Sequence, residues 1–347
     1  MRIAILAAGF SPIPPISQGG TEWIAYYQAK GLSEKKHQVI LFAGAGTKKN
    51  FDVNTIHVEE IEINQKSEPD PSMTEGSRKL RLQMVVSSKV CQRLIDFQDQ
   101  YDIILNNMGE AVFLPIAKML NKPLANVMHL NLFPDLTGIF KEFNSNIITI
   151  SNAQRIGFED LNYLATVYNC VDTQKYMFNP TPDNYLLMVA TIGRHKNQKT
   201  AIDVAKKMNL PLVLAGKIRD QDYFEEIKKD IDGRQIKWVG EVRFDEKLKL
   251  YQNAKAFLFP INWNEPFGLV MIEAMACGTP VIAFNHGAVS EVVVDGKTGF
   301  VVENEDQMVE AVKKIDSISR EACRKHVEEN FTVEKMVMGY ENALSKI

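Results

Sequence analysis

The stretch from Asn264 to Val302 reads N-E-P-F-G-L-V-M-I-E-A-M-A-C-G-T-P-V-I-A-F-N-H-G-A-V-S-E-V-V-V-D-G-K-T-G-F-V-V. Pro266 and Gly268 form a turn signal, and the apolar run Leu269–Ala276 behind it reads as a helix that breaks at Gly278 and Pro280. A turn feeding a helix start leaves backbone N–H groups unbonded at the positive end of the helix dipole, which is an anion site. The candidate groups are those of Phe267, Gly268, Leu269 and Val270. Glu265, just before the turn, and Glu273, two turns into the helix, cannot ligate an anion themselves. They suit hydroxyl groups. An anion with hydroxyls on both sides describes ribose, diphosphate and hexose, the parts of a nucleotide sugar.

Outward from this stretch, short β-rich runs alternate with helical stretches, the pattern of parallel sheets with crossover helices. After Tyr185 the expected strands are Tyr185–Ala190, Leu212–Ala215, Ile236–Val239, Ala256–Phe259, Pro280–Phe284 and Gly299–Val302. The expected helices are Asn197–Met208, Asp222–Asp230, Asp245–Gln252, Leu269–Ala276 and Asp306–Ile315. Behind the first of these strands comes T-I-G-R-H-K-N-Q-K-T, where Arg194 and Lys199 lie close to a helix start. A guanidinium fork and a compact ammonium together neutralise a diphosphate. Lys196, between them, reads as solvated. Gly216, and Val239 with Gly240, stand at strand ends where a ligand approaches backbone.

In the first half the expected strands are Arg2–Ala8, Gln38–Ala43, Thr55–Ile61, Asp102–Asn106, Leu124–His129, Ile147–Ser151 and Ala165–Tyr168, with helices at Thr21–Lys36, Arg78–Asp99, Glu110–Leu120 and Ala153–Asp160. Gly19 and Gly20 directly precede the first helix, where backbone can come close to a phosphate. The G-x-G-x-x-G dinucleotide fingerprint is absent, which counts against a nicotinamide enzyme. His129 closes a strand at the end where ligands bind in open α/β sheets; a lone histidine is usually structural, but this position favours a functional one. Asp135 follows in a stretch read as loop and is a candidate acceptor contact. Asp172–Asn184, with Pro180 and Pro182 and no periodicity, reads as a linker.

The pair Glu265 and Glu273, with seven residues between them, resembles the E-x7-E signature of retaining glycosyltransferases of family 4. F-N-H-G-A-V-S-E, carrying Gly287 and Glu291, and D-G-K-T-G-F-V-V fit the same family, and Arg194 to Lys199 is similar to its G-R-x4-K. The resemblance implies the GT-B fold, α/β with two tandem Rossmann-like doubly wound domains facing a central cleft. Residues 1–170 would bind the acceptor, 171–184 would link, 185–331 would bind the nucleotide sugar, and the helical stretch in 332–347 would cross back onto the first domain. It implies that Arg194 and Lys199 hold the donor diphosphate, that Glu273 takes ribose and Glu265 hexose hydroxyls, that His129 lies near the transferred sugar, that Gly19 and Gly20 face the phosphates and acceptor, and that the strand ends at Gly216, Val239 and Gly240 flank the nucleobase. The P-P-I-S-Q-G-G-T-E loop looks most like an avilamycin-type branch. The implied reaction is metal-independent front-face transfer of a hexose from a nucleoside-diphosphate sugar, UDP-linked by expectation, to a sugar, lipid-linked or small-molecule acceptor. No cofactor is implied beyond the nucleotide sugar as co-substrate. A GT-B epimerase or phosphorylase-like enzyme is disfavoured by the intact Arg194, Lys199, Glu265 and Glu273, as is a non-catalytic sugar-nucleotide-binding subunit.

Bulk properties narrow the classes further. A chain of 347 residues with 45% hydrophobic and 24% charged residues is expected to be a soluble globular protein of two domains. A net charge of −3 argues against nucleic-acid binding, which needs a basic footprint. Cys91, Cys170, Cys277 and Cys323 form no C-x-x-C pair, so they read as reduced cysteines of a cytoplasmic protein rather than metal ligands. The apolar N-terminus reads as a first strand, not a signal peptide, and no apolar run is long enough to span a membrane. Arg78, Lys79, Arg81, Lys89 and Arg93 interleave with apolar residues, so the helix there has either a solvated basic face or an acceptor- or lipid-facing patch; peripheral membrane contact stays open.

Overall fold

A computed structural model describes residues 1–7, 9–15, 19–49, 56–62 and 76–347. Ile16, Ser17 and Gln18 of the loop before the first helix, and the start of the strand expected from Thr55, lie outside the described residues. The chain forms two compact units: residues 1–150, 155–167 and 336–347, and residues 151–154 with 168–335.

Unit 1 is built on a seven-stranded parallel sheet: β1 (Arg2–Ala7), β2 (Gln38–Gly44), β3 (His57–Ile61), β4 (Ile103–Asn106), β5 (Leu124–Met128), β6 (Asn146–Thr149) and β7 (Tyr163–Thr166), in the order β3-β2-β1-β4-β5-β6-β7. The central strands are apolar without alternation because helices cover both faces: Ile3, Ala4, Ile5 and Leu6 are fully buried, as are Ile104, Leu105, Ala125 and Val127. The helices are α1 (Gly20–Glu34), α2 (Gly76–Asp96), α3 (Phe113–Met119) and α4 (Pro134–Glu142). The helix expected over Ala153–Asp160 is only a 3-10 turn at Ala153–Arg155. The amides of Asn152 and Ala153 donate to the Glu291 carboxylate (2.8 and 2.7 Å), but Gly157 takes φ +84°, outside the helical region, and no further helical turn forms. Asp135 is not in a loop. It stands in the first turn of α4, whose φ is preset by Pro134 at its start.

Unit 2 carries a six-stranded parallel sheet: β8 (Leu186–Val189), β9 (Leu212–Ala215), β10 (Ile236–Trp238), β11 (Ala256–Phe259), β12 (Val281–Phe284) and β13 (Gly299–Val302), in the order β10-β9-β8-β11-β12-β13. The helices are α5 (Gln198–Met208), α6 (Gln221–Lys228), α7 (Phe244–Asn253), α8 (Leu269–Ala276), α9 (Val289–Val292), α10 (Glu305–Lys314), α11 (Arg320–Asn330) and α12 (Val333–Leu344). From Met336 onward α12 belongs to unit 1. There Val337 packs against Gly31 of α1, leaving no room for a Cβ at that glycine, and Glu341 bonds His37 at 2.9 Å.

The segment read as a linker, Asp172–Asn184, belongs to unit 2. Tyr176 is buried, and Asn179 donates to the Gln252 carbonyl at 3.1 Å. Arg320, buried in α11, donates to the carbonyls of Asn179 (2.7 Å), Gln252 (2.7 Å) and Ala254 (2.9 Å) and to Thr279 Oγ1 (3.0 Å). One guanidinium thus supplies donors to orphan carbonyls at the end of α7 and to the segment after α8.

Each sheet reverses its strand order once, between β1 and β4 in unit 1 and between β8 and β11 in unit 2. In open α/β sheets ligands bind outside the C-terminal strand ends at such points.

Candidate active site

In unit 2 the loops after β8 and β11 meet. Gly193 leads into a 3-10 turn, Arg194–Lys196, and Asn197 (φ 60°) directly precedes α5. Asparagine tolerates this left-handed conformation. Its amide is fixed by the Pro260 carbonyl at 2.9 Å. This turn directs Lys196 inward. Its Nζ lies 3.0 Å from Glu265 Oε2 and 4.8 Å from the centroid of the Trp263 ring. Trp263 Nε1 donates to the same oxygen at 3.0 Å, and no described residue donates to Glu265 Oε1. Both ions of the pair are largely buried, at 17% and 13% side-chain exposure.

Lys196 is therefore not the solvated residue of the sequence reading. Arg194 and Lys199, expected to act together, each pair with a carboxylate, and both adjoin Tyr223: the Arg194 guanidinium lies 5.2 Å from its ring centroid and the Lys199 backbone N–H donates to its hydroxyl at 2.9 Å. Arg194 is exposed and holds Glu226 of α6 at 2.5 and 3.0 Å. Lys199 sits at the outer start of α5, paired with Asp203 at 2.5 Å and Asp230 at 3.4 Å. The spacing R-x4-K does not carry this difference. The signal in the sequence is Lys196-Asn197 immediately before a helix, where the left-handed asparagine decides which lysine turns inward.

Gly268 takes φ +85° ahead of α8, and a Cβ there would meet Met271 Cε at 2.5 Å. Gly287 takes φ +61°, and its ideal Cβ would lie 2.3 Å from the Glu265 carbonyl oxygen. The turn that carries Glu265 is thus seated directly on a glycine. Met271 N–H bonds the Gly268 carbonyl at 2.9 Å, whereas no described acceptor takes the N–H of Leu269 or Val270, both half-buried. The Phe267 side chain is core, packed against Phe331 and Tyr168, so only its backbone is available to a ligand.

Glu273 lies on α8 with four contacts to three donor groups. Oε1 takes Tyr176 Oη at 2.8 Å and Lys247 Nζ at 2.8 Å; Oε2 takes Lys247 Nζ at 3.0 Å and Tyr251 Oη at 2.9 Å. A carboxylate has about four lone-pair sites, so the open acceptor expected for a ribose diol is filled. Burial and the neighbouring carboxylate push the Tyr251 hydroxyl well up, keeping it a donor. Gly216 and Gly240 lie together after β9 and β10, the Gly216 N–H donating to the Gly240 carbonyl at 2.7 Å; Val239 is exposed.

In unit 1 a cavity of about 360 Å³ opens at the C-terminal ends of β1, β4 and β5. His129 lines it. Its Nε2 is 2.9 Å from Asn107 Oδ1, and Asn107 Nδ2 donates to Gln28 Oε1 at 2.8 Å. Because Asn107 Oδ1 only accepts, His129 carries its proton on Nε2 and offers Nδ1 as an acceptor. Burial pushes its pKa down to about 4, so the ring is neutral at pH 7. Gly19 and Gly20 start α1 beside this cavity, which Thr21 and Glu22 also line. Among the described residues no cluster of three or more His, Cys, Asp or Glu could hold a metal ion, and no helix is long and apolar enough to cross a membrane.

Residues 173–331 match the family described as glycosyl transferases group 1. The chain is 29% identical over 187 residues to an uncharacterized glycosyltransferase of Methanocaldococcus jannaschii, covering 51% of this chain and 52% of that one. It is 29% identical over 170 residues to the O-antigen chain mannosyltransferase RfbU of Salmonella typhimurium, covering 46% and 48%. The chain thus spans about half the length of the curated relatives it matches. Over nearly the whole length its fold is that of HepE from Anabaena in complex with UDP-glucose, with TM-score 0.75, 20% identity and 99% of each chain covered. It is also that of AviGT4, a glycosyltransferase involved in avilamycin A biosynthesis, with TM-score 0.71, 18% identity and 99% and 97% covered. The fold over the whole chain is thus GT-B, and residues 173–331, which include Lys196, Glu265 and Glu273, are similar to the family described as glycosyl transferases group 1.

Proposed function

We propose that the chain is a retaining glycosyltransferase that moves a hexose from a nucleoside-diphosphate sugar, UDP-linked by preference, to an acceptor without a divalent metal. The observation that supports it most is the convergence of Lys196, Trp263, Glu265 and the unbonded amides of Leu269 and Val270 at the strand reversal of unit 2. Departure of the diphosphate is the demanding step. Lys196 and the start of α8 stabilise the charge growing on it, with Arg194 and Lys199 contributing at longer range. Glu265 Oε1 accepts from hexose hydroxyls. Ribose binds beside Glu273 by exchanging with one of the donors already on that carboxylate. Unit 1 holds the acceptor, whose hydroxyl attacks the sugar from the face the leaving phosphate vacates, passing its proton to that phosphate.

The test is a panel of UDP-, GDP- and ADP-sugars, with release of the nucleoside diphosphate measured with and without a chelator. The expected result is release from at least one donor, unchanged by chelation, and a first-formed product whose anomeric proton in NMR shows the donor's configuration. No release from any donor removes the glycosyltransferase reading. Inversion removes the front-face mechanism, and loss of activity in chelator restored by magnesium or manganese removes the metal-free step.

A further inference from the structure

The carboxylate of Glu273 is filled from within unit 2: Tyr176 and Lys247 meet Oε1, and Lys247 and Tyr251 meet Oε2. Ribose hydroxyls reach it only when one of these three donors leaves. The two tyrosines are held by the core. Tyr251 is fully buried, with its ring 5.7 Å from that of Phe257 and its carbonyl taken by Thr279 Oγ1. Tyr176 is 5% exposed, its ring stands edge-on to Phe244 at 5.6 Å, and its carbonyl accepts from Arg324. Lys247 differs. Its backbone is fixed in the first turn of α7, where its N–H bonds the Arg243 carbonyl at 2.9 Å. Its ammonium, however, rides on a flexible four-carbon stem, and the side chain is 21% exposed against 12% for Glu273. Nζ also lies 6.0 Å from the centroid of the exposed Phe244 ring, so a cation–π partner stands next to the pair.

Withdrawing an ammonium from a largely buried carboxylate is unfavourable unless other donors replace it. A vicinal diol replaces it, because its two hydroxyls donate to the carboxylate while the ammonium regains water. A sugar without those hydroxyls does not. We infer that Lys247 is a gate on Glu273: its ammonium closes the carboxylate, and it is the donor that leaves when a ribose diol binds. Lys247 thereby competes with the ribose, which loosens the hold on the spent nucleoside diphosphate as well as on the sugar donor. This deepens the proposed function by naming how that site is regulated, and it rests on Glu273 being the ribose contact.

Calorimetric titration of the full chain with UDP, ADP and GDP, each against its 2′,3′-dideoxy analogue, tests the gate without turnover. Lys247→Met should raise the preference for the ribose form over the dideoxy form about tenfold, the size of a charge-assisted hydrogen bond freed for the ligand. Reading the ratio cancels the effect of removing a positive charge near the diphosphate. Lys247→Arg keeps a cation on the carboxylate and should leave the preference at or below that of wild type. In wild type, the nitrogen–proton NMR correlation of the Lys247 ammonium, assigned by its absence in Lys247→Arg, should be visible in the protein alone. It should vanish into solvent exchange when the ribose nucleotide is added and persist with the dideoxy one, a readout that holds even where Lys247→Met does not fold. An unchanged preference in Lys247→Met, or an ammonium signal that survives binding of the ribose nucleotide, overturns the gate and leaves the donor site standing. Binding of none of the three nucleotides to wild type removes the proposed function and the gate with it.

Discussion

Lys196 is the residue whose position changes the chemistry most. An ammonium stacked on Trp263 and paired with Glu265 is oriented before any ligand arrives, and preorganised charge of this kind is what stabilises a leaving diphosphate. Lys199, 45% exposed and shared between Asp203 and Asp230, is a surface pair of the sort worth roughly 1 kcal/mol or less. Lys196→Ala is therefore expected to cost about 2–4 kcal/mol of transition-state stabilisation, read as the fall in kcat/KM for the best donor. Lys199→Ala should stay within a few-fold of wild type. Equal losses in the two variants would restore the R-x4-K reading and discard the Lys196 one.

At the scale of elements, most boundaries were legible. The apolar run Leu269–Ala276 is α8 with those same ends, and every expected strand exists, each end that falls among the described residues lying within about three residues of the expected one. Apolar runs without alternation, punctuated by Gly and Pro, are strong signals because burial on both faces leaves little choice of residue. The failures were local competitions. Ala153–Asp160 has helical pattern, but Gly157 takes φ +84° and ends it after one 3-10 turn. Asp135 reads as a loop residue, yet Pro134 at the first helical position favours the helix Pro134–Glu142 that forms there. The turn carrying Glu265 depends on a residue distant in sequence, Gly287, whose ideal Cβ would lie 2.3 Å from the Glu265 oxygen and 2.4 Å from its nitrogen. Gly287→Ala should destabilise unit 2 by more than about 2 kcal/mol, the left-handed penalty plus a backbone clash, and should weaken donor binding. Gly296→Ala shares the positive φ (70°) but has no atom within 4 Å, so it should cost only about 1–2 kcal/mol. Urea unfolding of the two variants separates the contributions, and equal losses would show that no clash exists.

Across the whole molecule, stability and site are coupled through His129. Its folded-state pKa of about 4 lies below the ordinary 6.5, so as pH falls the unfolded chain binds the proton first. The stability present above pH 6.5 is lost progressively down to about pH 4 and is level below that, by at most about 3.5 kcal/mol for this one group. Urea titrations at pH 7 and pH 5 should show the loss, and His129→Gln should flatten it; an unchanged slope in that variant would assign the dependence to other groups. The sequence by itself determined the order of elements, the two parallel sheets and the paired glutamates flanking a helix start, because each is written in residues close together along the chain. The tertiary structure alone decided which cation meets Glu265, that Glu273 is already filled by Lys247, Tyr176 and Tyr251, and that His129 is a neutral acceptor lining a cavity. Those facts are contacts between residues as far apart as Lys196 and Glu265, 69 positions, and Tyr176 and Glu273, 97 positions. Periodicity says which face of an element is buried, but the packing of whole sheets and helices chooses the partner found there.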